Sequence, residues 1–253
     1  FRKDLSKLSR LSSEGRSSAT TVLVYTALRW LMKAEGLGDE ARKLLGFSDN
    51  RQDASLQVGH FNDFIQILLL RGALLAALRR ASSGGIGDED LTQRVYDVLW
   101  PNEEEGLRDF AAHPDLKGLK VKEATAAVRS VLGYRLYGDL RRGWRLTNPN
   151  LEQLGLLKVT YDELETCCAD QSVWQDRDEL LEKASPENRQ RLCKHFLEEM
   201  RRRLCIKTIH LDGEHLEQAR AKAHATLRDP WGFFDQERRR ESALFVVVPM
   251  ALQ

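Results

Sequence analysis

Apolar positions recur at helical spacing through most of this chain. Residues 18–34 place Val22, Tyr25, Leu28 and Met32 on one stripe, and Gly36 and Gly38 then break the pattern. From Arg51 a helical pattern runs to about residue 81, with Leu56, His60, Phe64, Leu68 and Leu75 in register. So many other positions there are apolar that burial nearly all round is expected, and Gly59 and Gly72 mark a kink or a break. Residues 89–99 read as a helix ended by Trp100-Pro101, followed by an acidic loop carrying Glu103, Glu104 and Glu105. A long amphipathic helix is predicted over 119–142, with Val121, Ala124, Val128, Leu132, Leu136 and Leu140 aligned. Ser185-Pro186-Glu187 is a helix start: a cap, a proline at the first position and an acid in the first turn. The helix it opens carries Leu192, Phe196, Met200 and Leu204 at fourfold spacing. A last helix covers 213–227 and stops near Asp229-Pro230, and Trp231, Phe233 and Phe234 are expected in a turn packed onto the body. Short strands are predicted at 44–47, 156–161 and 244–248. The fold class is mainly α with a few short β-strands.

Composition narrows this picture. The chain has 253 residues, enough to bury a core in one or two domains. Its 39 basic and 38 acidic residues leave a net charge of +1, so any polyanion must be met by local patches. The longest apolar stretch, 61–78, is interrupted by Asn62, Asp63, Gln66 and Arg71 and is too polar to span a membrane. Cys167, Cys168, Cys193 and Cys205 lack a disulfide-framework pattern, and with no signal-peptide pattern they read as reduced thiols of a cytoplasmic protein. The chain opens on Phe1 and stops soon after Phe245-Val246-Val247-Val248; both ends read as cut from something longer.

The segment Lys43–Ala54 concentrates the candidate chemistry. An apolar run of strand length leads through Ser48, Asp49 and Asn50 into the helix that begins near Arg51. Free N–H groups and the dipole of a helix N-terminus stabilise an anion, so Ser48, Asn50 and Arg51 are candidate phosphate contacts, with Asp49 or Asn50 as cap. An ordinary capped strand-to-helix turn has the same local pattern.

The run FSDNRQDASLQVGHFNDF resembles the segment that opens the second RecA-like domain in large bacterial DEAD/DEAH-box helicases of superfamily 2. In that family the strand and turn form motif IV, which touches the backbone of the tracking strand. GRSSATTVLVYTALRWL is similar to the helical stretch ahead of that strand, and YRLYGDLRRGWRLTNPNLEQLGLLKVTYDEL to part of a long accessory insertion. The resemblance implies that residues 1–82 open a RecA-like motor domain, 83–88 form a linker, and 89–253 form a helical accessory module. It also implies an ATP-dependent parent protein using ATP and Mg, with nucleic acid (DNA first) and other subunits of a defence or repair complex as partners. The chain itself contains no GxxxxGK(S/T) phosphate loop and no arginine-rich motif, so no cofactor is expected in this fragment and it should not hydrolyse ATP alone.

A second candidate lies at 119–161. Asn148-Pro149-Asn150 and Gly155 bracket a short helix of form LxxLG, and an apolar run, Leu157–Tyr161, comes next. That order matches the passage from recognition helix to wing in winged-helix domains. Arg129, Arg135, Arg141, Arg142 and Arg145 would then be the arginines available to phosphate, with Trp144 or Tyr137 stacking on a base. Arg135 falls near the apolar stripe, an unusual place for a solvated charge. The alternative is a helical hairpin whose arginines pair with carboxylates. No Cys/His pair has CxxC spacing, so no metal site is expected. Arg202 and Arg203 lie four residues after Glu198 and Glu199, the order that favours pairing along a helix. Arg238–Arg240 is the freer basic run. Two competing readings remain: a winged-helix DNA-binding protein without a motor, and a protein–protein scaffold.

Overall fold

The computed structural model describes residues 19–44, 51–81, 85–113, 115–140 and 149–233, with only the backbone given for residues 39 and 51–64. The described chain is mainly helical. Strand pairing among the described residues is limited to one antiparallel bridge, Ala111 with Leu227. The predicted strand at 156–161 does not form: residues 157–161 have no regular structure. Residues 45–47 and 244–248 lie outside the described residues, and Leu44 is irregular.

The chain divides into two compact units, residues 1–72 with 145–148, and 73–144 with 149–253. In the first, α1 covers residues 19–33 and a single 3-10 turn covers Asp39–Ala41. Val22 and Met32 of the predicted α1 stripe are exposed, as are Leu23 and Trp30. Helix α2, Arg51–Arg80, runs on as one element through Gly59 and Gly72, without the expected break. From residue 65 on, where its side chains are described, burial is one-sided: Leu70, and in the second unit Ala73, Leu74 and Ala77, are buried, whereas Leu68 and Leu69 are exposed.

The second unit is organised on α5, Leu119–Asp139. The predicted stripe holds at Ala124, Val128, Leu132 and Leu136, but Ala127, Val131, Tyr134 and Tyr137 on other faces are buried too. Neighbours on several sides explain this. Helices α3 (Asp88–Leu99), α4 (Glu103–Phe110) and α10 (Gly213–Thr226) all pack on α5, α10 most extensively. Small residues at the buried positions of α10, Ala219 and Ala223, let its backbone come close. The predicted acidic loop is helix α4 instead. Asn102 caps it by accepting from the Glu104 N–H, and Glu103, Glu104 and Glu105 fill a first turn whose dipole favours carboxylates.

An aromatic cluster closes one end of this unit. Trp100 stacks edgewise on Phe110 at 4.9 Å and Trp231 at 4.7 Å, and donates its indole N–H to Asp109 at 2.8 Å. The bridge at Ala111 and Leu227 ties the ends of α4 and α10 through Ala112 N–H to Thr226 C=O (2.8 Å) and Arg228 N–H to Phe110 C=O (3.0 Å). Trp231 and Phe233 are buried, as the sequence predicts for that turn.

Of three short helices, α6 (Leu164–Ala169), α7 (Gln171–Trp174) and α8 (Glu179–Lys183), α6 packs on α9, Pro186–Arg202, and α7 touches both α6 and α8. Ser185 caps α9 as predicted, accepting from Asn188 N–H. Helices this short do not persist alone in water, so tertiary contacts must hold them. Arg189 supplies the main one. Only 1% exposed, it donates to the carbonyls of Leu181 (2.6 Å), Cys168 (3.3 Å) and Glu182 (2.6 Å) and to Gln171 Oε1 (2.7 Å). Its guanidinium also lies over the Trp174 ring at 5.4 Å. The four cysteines are free, and burial together with neighbouring Cys193 pushes the Cys168 thiol upward.

Replacing Arg189 with Met leaves those carbonyls without a donor in a water-poor site, at about 1–3 kcal/mol for each group that finds no substitute. Arg189→Met should therefore destabilise by about 3 kcal/mol or more, whereas Arg191→Ala, on the exposed face of the same helix, should stay within about 0.5 kcal/mol. Urea denaturation followed by circular dichroism checks both, and equal effects would refute the role given to Arg189.

Candidate functional site

The predicted phosphate-binding turn is described only in part. Ser48 and Asn50 lie outside the described residues, and of Arg51 only the backbone is given. That backbone is the first residue of α2. A thirty-residue helix thus starts at Arg51, where the sequence pattern places its beginning. Arg141, Arg142, Trp144 and Arg145 also lie outside the described residues, as does Arg238–Arg240.

Arg135 is a predicted contact whose side chain is described, and it points inward. Its Nη1 donates to the Pro230 carbonyl at 3.1 Å and its Nη2 to the Gly232 carbonyl at 2.7 Å. Neighbouring Tyr134 stacks edgewise on Phe233 at 5.6 Å. The guanidinium fixes the turn that carries Trp231 and Phe233, so the reading of Arg135 as a phosphate contact is corrected to a buried structural role. Its place on the apolar stripe was the signal for this.

The wing reading fails at the next segment. The capping pattern does operate: Asn150 N–H donates to Gln153 Oε1 and Gln153 N–H to Asn150 Oδ1, both at 2.9 Å. The turn then stops at Gly155, whose φ of +70° suits glycine, with Leu156 N–H returning to the Leu151 carbonyl. Residues on either side of that stop are tied down by side chains rather than by a sheet. Arg201, 4% exposed, grips Glu152 with two nitrogens at 2.5 and 3.1 Å and reaches the Tyr161 hydroxyl at 3.4 Å. Arg202 and Arg203 pair with Glu198 and Glu199 along α9, the solvated face expected of them.

The second unit also contains an open cavity of about 770 Å³, which nothing in the sequence signals. The start of α3 (Asp88, Glu89, Thr92), α5 (Arg129, Ser130, Tyr134) and residues 204–216 line it. Ser130 and His215 meet across it, Oγ to Nε2 at 3.2 Å, while the Ser130 hydroxyl donates to the Ala126 carbonyl at 3.0 Å. The direction of the Ser130–His215 bond follows the His215 tautomer, and the helix backbone competes with His215 for the Ser130 proton. Burial next to Glu89 raises the Asp88 carboxyl. Among the described residues, no cluster of three or more His, Cys, Asp or Glu side chains is placed to hold a metal ion. No helix among them is long and apolar enough to cross a membrane.

His210 is the most perturbed group here. Its ring stacks on Tyr137 at 6.0 Å, meets His215 edgewise at 6.2 Å, and lies so close to Gly133 that a Cβ there would collide with Nδ1. Only glycine allows that approach. Burial, then the nearby His215 and Arg129, lower its pKa to about 4. Comparison with protein-family models, curated proteins and solved structures finds no match.

Because the fold holds His210 neutral, protons bind the unfolded chain first as pH falls below about 6.5. That loss of stability begins near the ordinary histidine pKa and is complete below about 4. Between pH 7.5 and 5 it should amount to about 1 kcal/mol, because the ring is part-exposed and solvent screens it. Urea midpoints at the two pH values should differ accordingly in the wild type and much less in His210→Gln; an equal pH dependence in both would refute it.

Proposed function

We propose that this chain is a nucleic-acid-gripping segment of an ATP-dependent superfamily 2 helicase or translocase. Residues 1–82 form the opening of its second RecA-like domain, and the helical residues after the linker form an accessory module. The observation that carries this reading is the start of α2 at Arg51, within the segment whose sequence resembles motif IV. A long helix begun there presents free backbone N–H groups and the positive end of its dipole at its first turn. A strand's phosphate would be met by those N–H groups together with Ser48, Asn50 and Arg51. Such contacts position the backbone and carry no sequence information. ATP and Mg belong to the parent motor, whose phosphate loop this sequence lacks.

One observation favours a second class, a protein–protein scaffold: Leu192 and Phe196 of α9 stand in solvent. A scaffold binds no nucleic acid at low salt. Fluorescence anisotropy with labelled single-stranded, duplex and forked DNA at two salt concentrations separates the readings. The helicase reading predicts salt-sensitive binding without sequence preference, weakened by about 1 kcal/mol or more in Arg51→Ala on every sequence tried. Binding unaffected by Arg51→Ala would overturn the motif IV assignment, and no binding by the wild type would overturn the function.

A further inference from the structure

Opposite charges line the 770 Å³ cavity of the second unit without meeting. Asp88 and Glu89, both exposed, belong to its α3 edge, and the half-buried Arg129 to its α5 wall. Among the described residues neither carboxylate lies within ion-pair distance of the guanidinium, and Arg129 makes no hydrogen bond. Its Nε and the Thr208 Oγ1, another group of the lining, are buried there without a hydrogen-bond partner. Buried polar groups are normally satisfied. The dipole of α3 favours acids in its first turn and accounts for Asp88 and Glu89. It does not account for Arg129, which lies one turn before Gly133, beside the neutral His210 ring that covers that glycine. The third carboxylate of the lining, Asp212, is spent on capping α10, where it accepts from His215 N–H at 2.9 Å. Apolar side chains, Ile206, Leu211 and Tyr134 among them, fill in the rest of the wall.

We infer that this cavity binds a small zwitterion with an apolar body, an α-amino acid or short peptide, its carboxylate met by Arg129 and its ammonium group by Asp88 and Glu89. The planar guanidinium fork holds a carboxylate through two parallel hydrogen bonds. A ligand without that carboxylate would cover the half-buried guanidinium and leave it unpaired, which is costly. A ligand without the ammonium group would bring its negative charge towards two carboxylates with nothing to offset them. The apolar wall suits an aliphatic side chain. The volume lies within the range of about 300–1,000 Å³ usual for small-molecule sites, which limits the occupant to a few residues. Asp88 and Glu89 would repel the phosphates of a strand, so this site stands apart from the nucleic-acid reading and does not depend on it.

Isothermal titration calorimetry of the whole chain tests this, with L-leucine and the dipeptide Leu-Leu as zwitterions and L-leucinamide and N-acetyl-L-leucine as single-charge controls. At least one zwitterion should bind, and the tighter of the two tells amino acid from peptide. L-leucinamide, which lacks the carboxylate, should bind about tenfold more weakly than L-leucine, and Arg129→Met should weaken the zwitterion by about the same factor. N-acetyl-L-leucine, and the double change Asp88→Asn with Glu89→Gln, should each cost about threefold, because those carboxylates are exposed. Arg129→Met should leave the affinity for L-leucinamide unchanged, which a merely misfolded variant would not do. Matching circular dichroism and urea midpoints would confirm that the variants fold. Failure of both zwitterions to bind at millimolar concentration, a control that binds as tightly as L-leucine, or unchanged binding by Arg129→Met would each overturn the inference. None of these outcomes bears on strand binding at Arg51.

Discussion

Short helices end often, and every end leaves carbonyl groups that need donors; in this protein buried guanidinium groups provide them. Arg189 collects four acceptors from α6, α7 and α8, and Arg135 holds two carbonyls of the turn at 230–232. Arg201 does the equivalent for Glu152 and the segment behind it. Leaving several buried carbonyls without donors would cost about 1–3 kcal/mol apiece. Arg189 therefore anchors the first turns of α9 to the short helices, while Leu192 and Phe196 on the following turns stay in solvent.

That constraint also sorts the cations by role. A count of arginines in the sequence overstates the charge available to a polyanion, because Arg135, Arg189 and Arg201 are engaged inside and Arg202 and Arg203 are neutralised beside Glu198 and Glu199. The near-neutral net charge leaves no general field to help. In the proposed reading, what remains for nucleic acid is local: the helix start at Arg51.

The helices were largely legible because their ends carry strong local signals. Ser185-Pro186 starts α9, and the stripe from Ala124 to Leu136 lies in α5, as the pattern predicts. Helix α4 was hidden because three glutamates read as loop, although Asn102 and the helix dipole make them a favourable first turn. The segment after Asn150 carried correct cap and stop signals, yet these bound one turn and no strand, since periodicity does not reveal whether a partner strand exists. The buried face of α9 was not legible at all: it depends on carbonyls left by three helices too short to show a period. Of the candidate site, the start of α2 at Arg51 was read from the sequence. The cavity around Ser130, His210 and His215 was not, because it is assembled from segments far apart in the chain.

Buried arginines hold this molecule together, and in the proposed reading Arg51 is left for phosphate. Arginine modification with phenylglyoxal, mapped by mass spectrometry with and without single-stranded DNA, separates the two roles. Arg135, Arg189 and Arg201 should resist modification in the native chain under both conditions, while Arg51 should react and be protected by DNA. Ready modification of the first three in folded protein, or equal labelling of Arg51 with and without bound DNA, would contradict this.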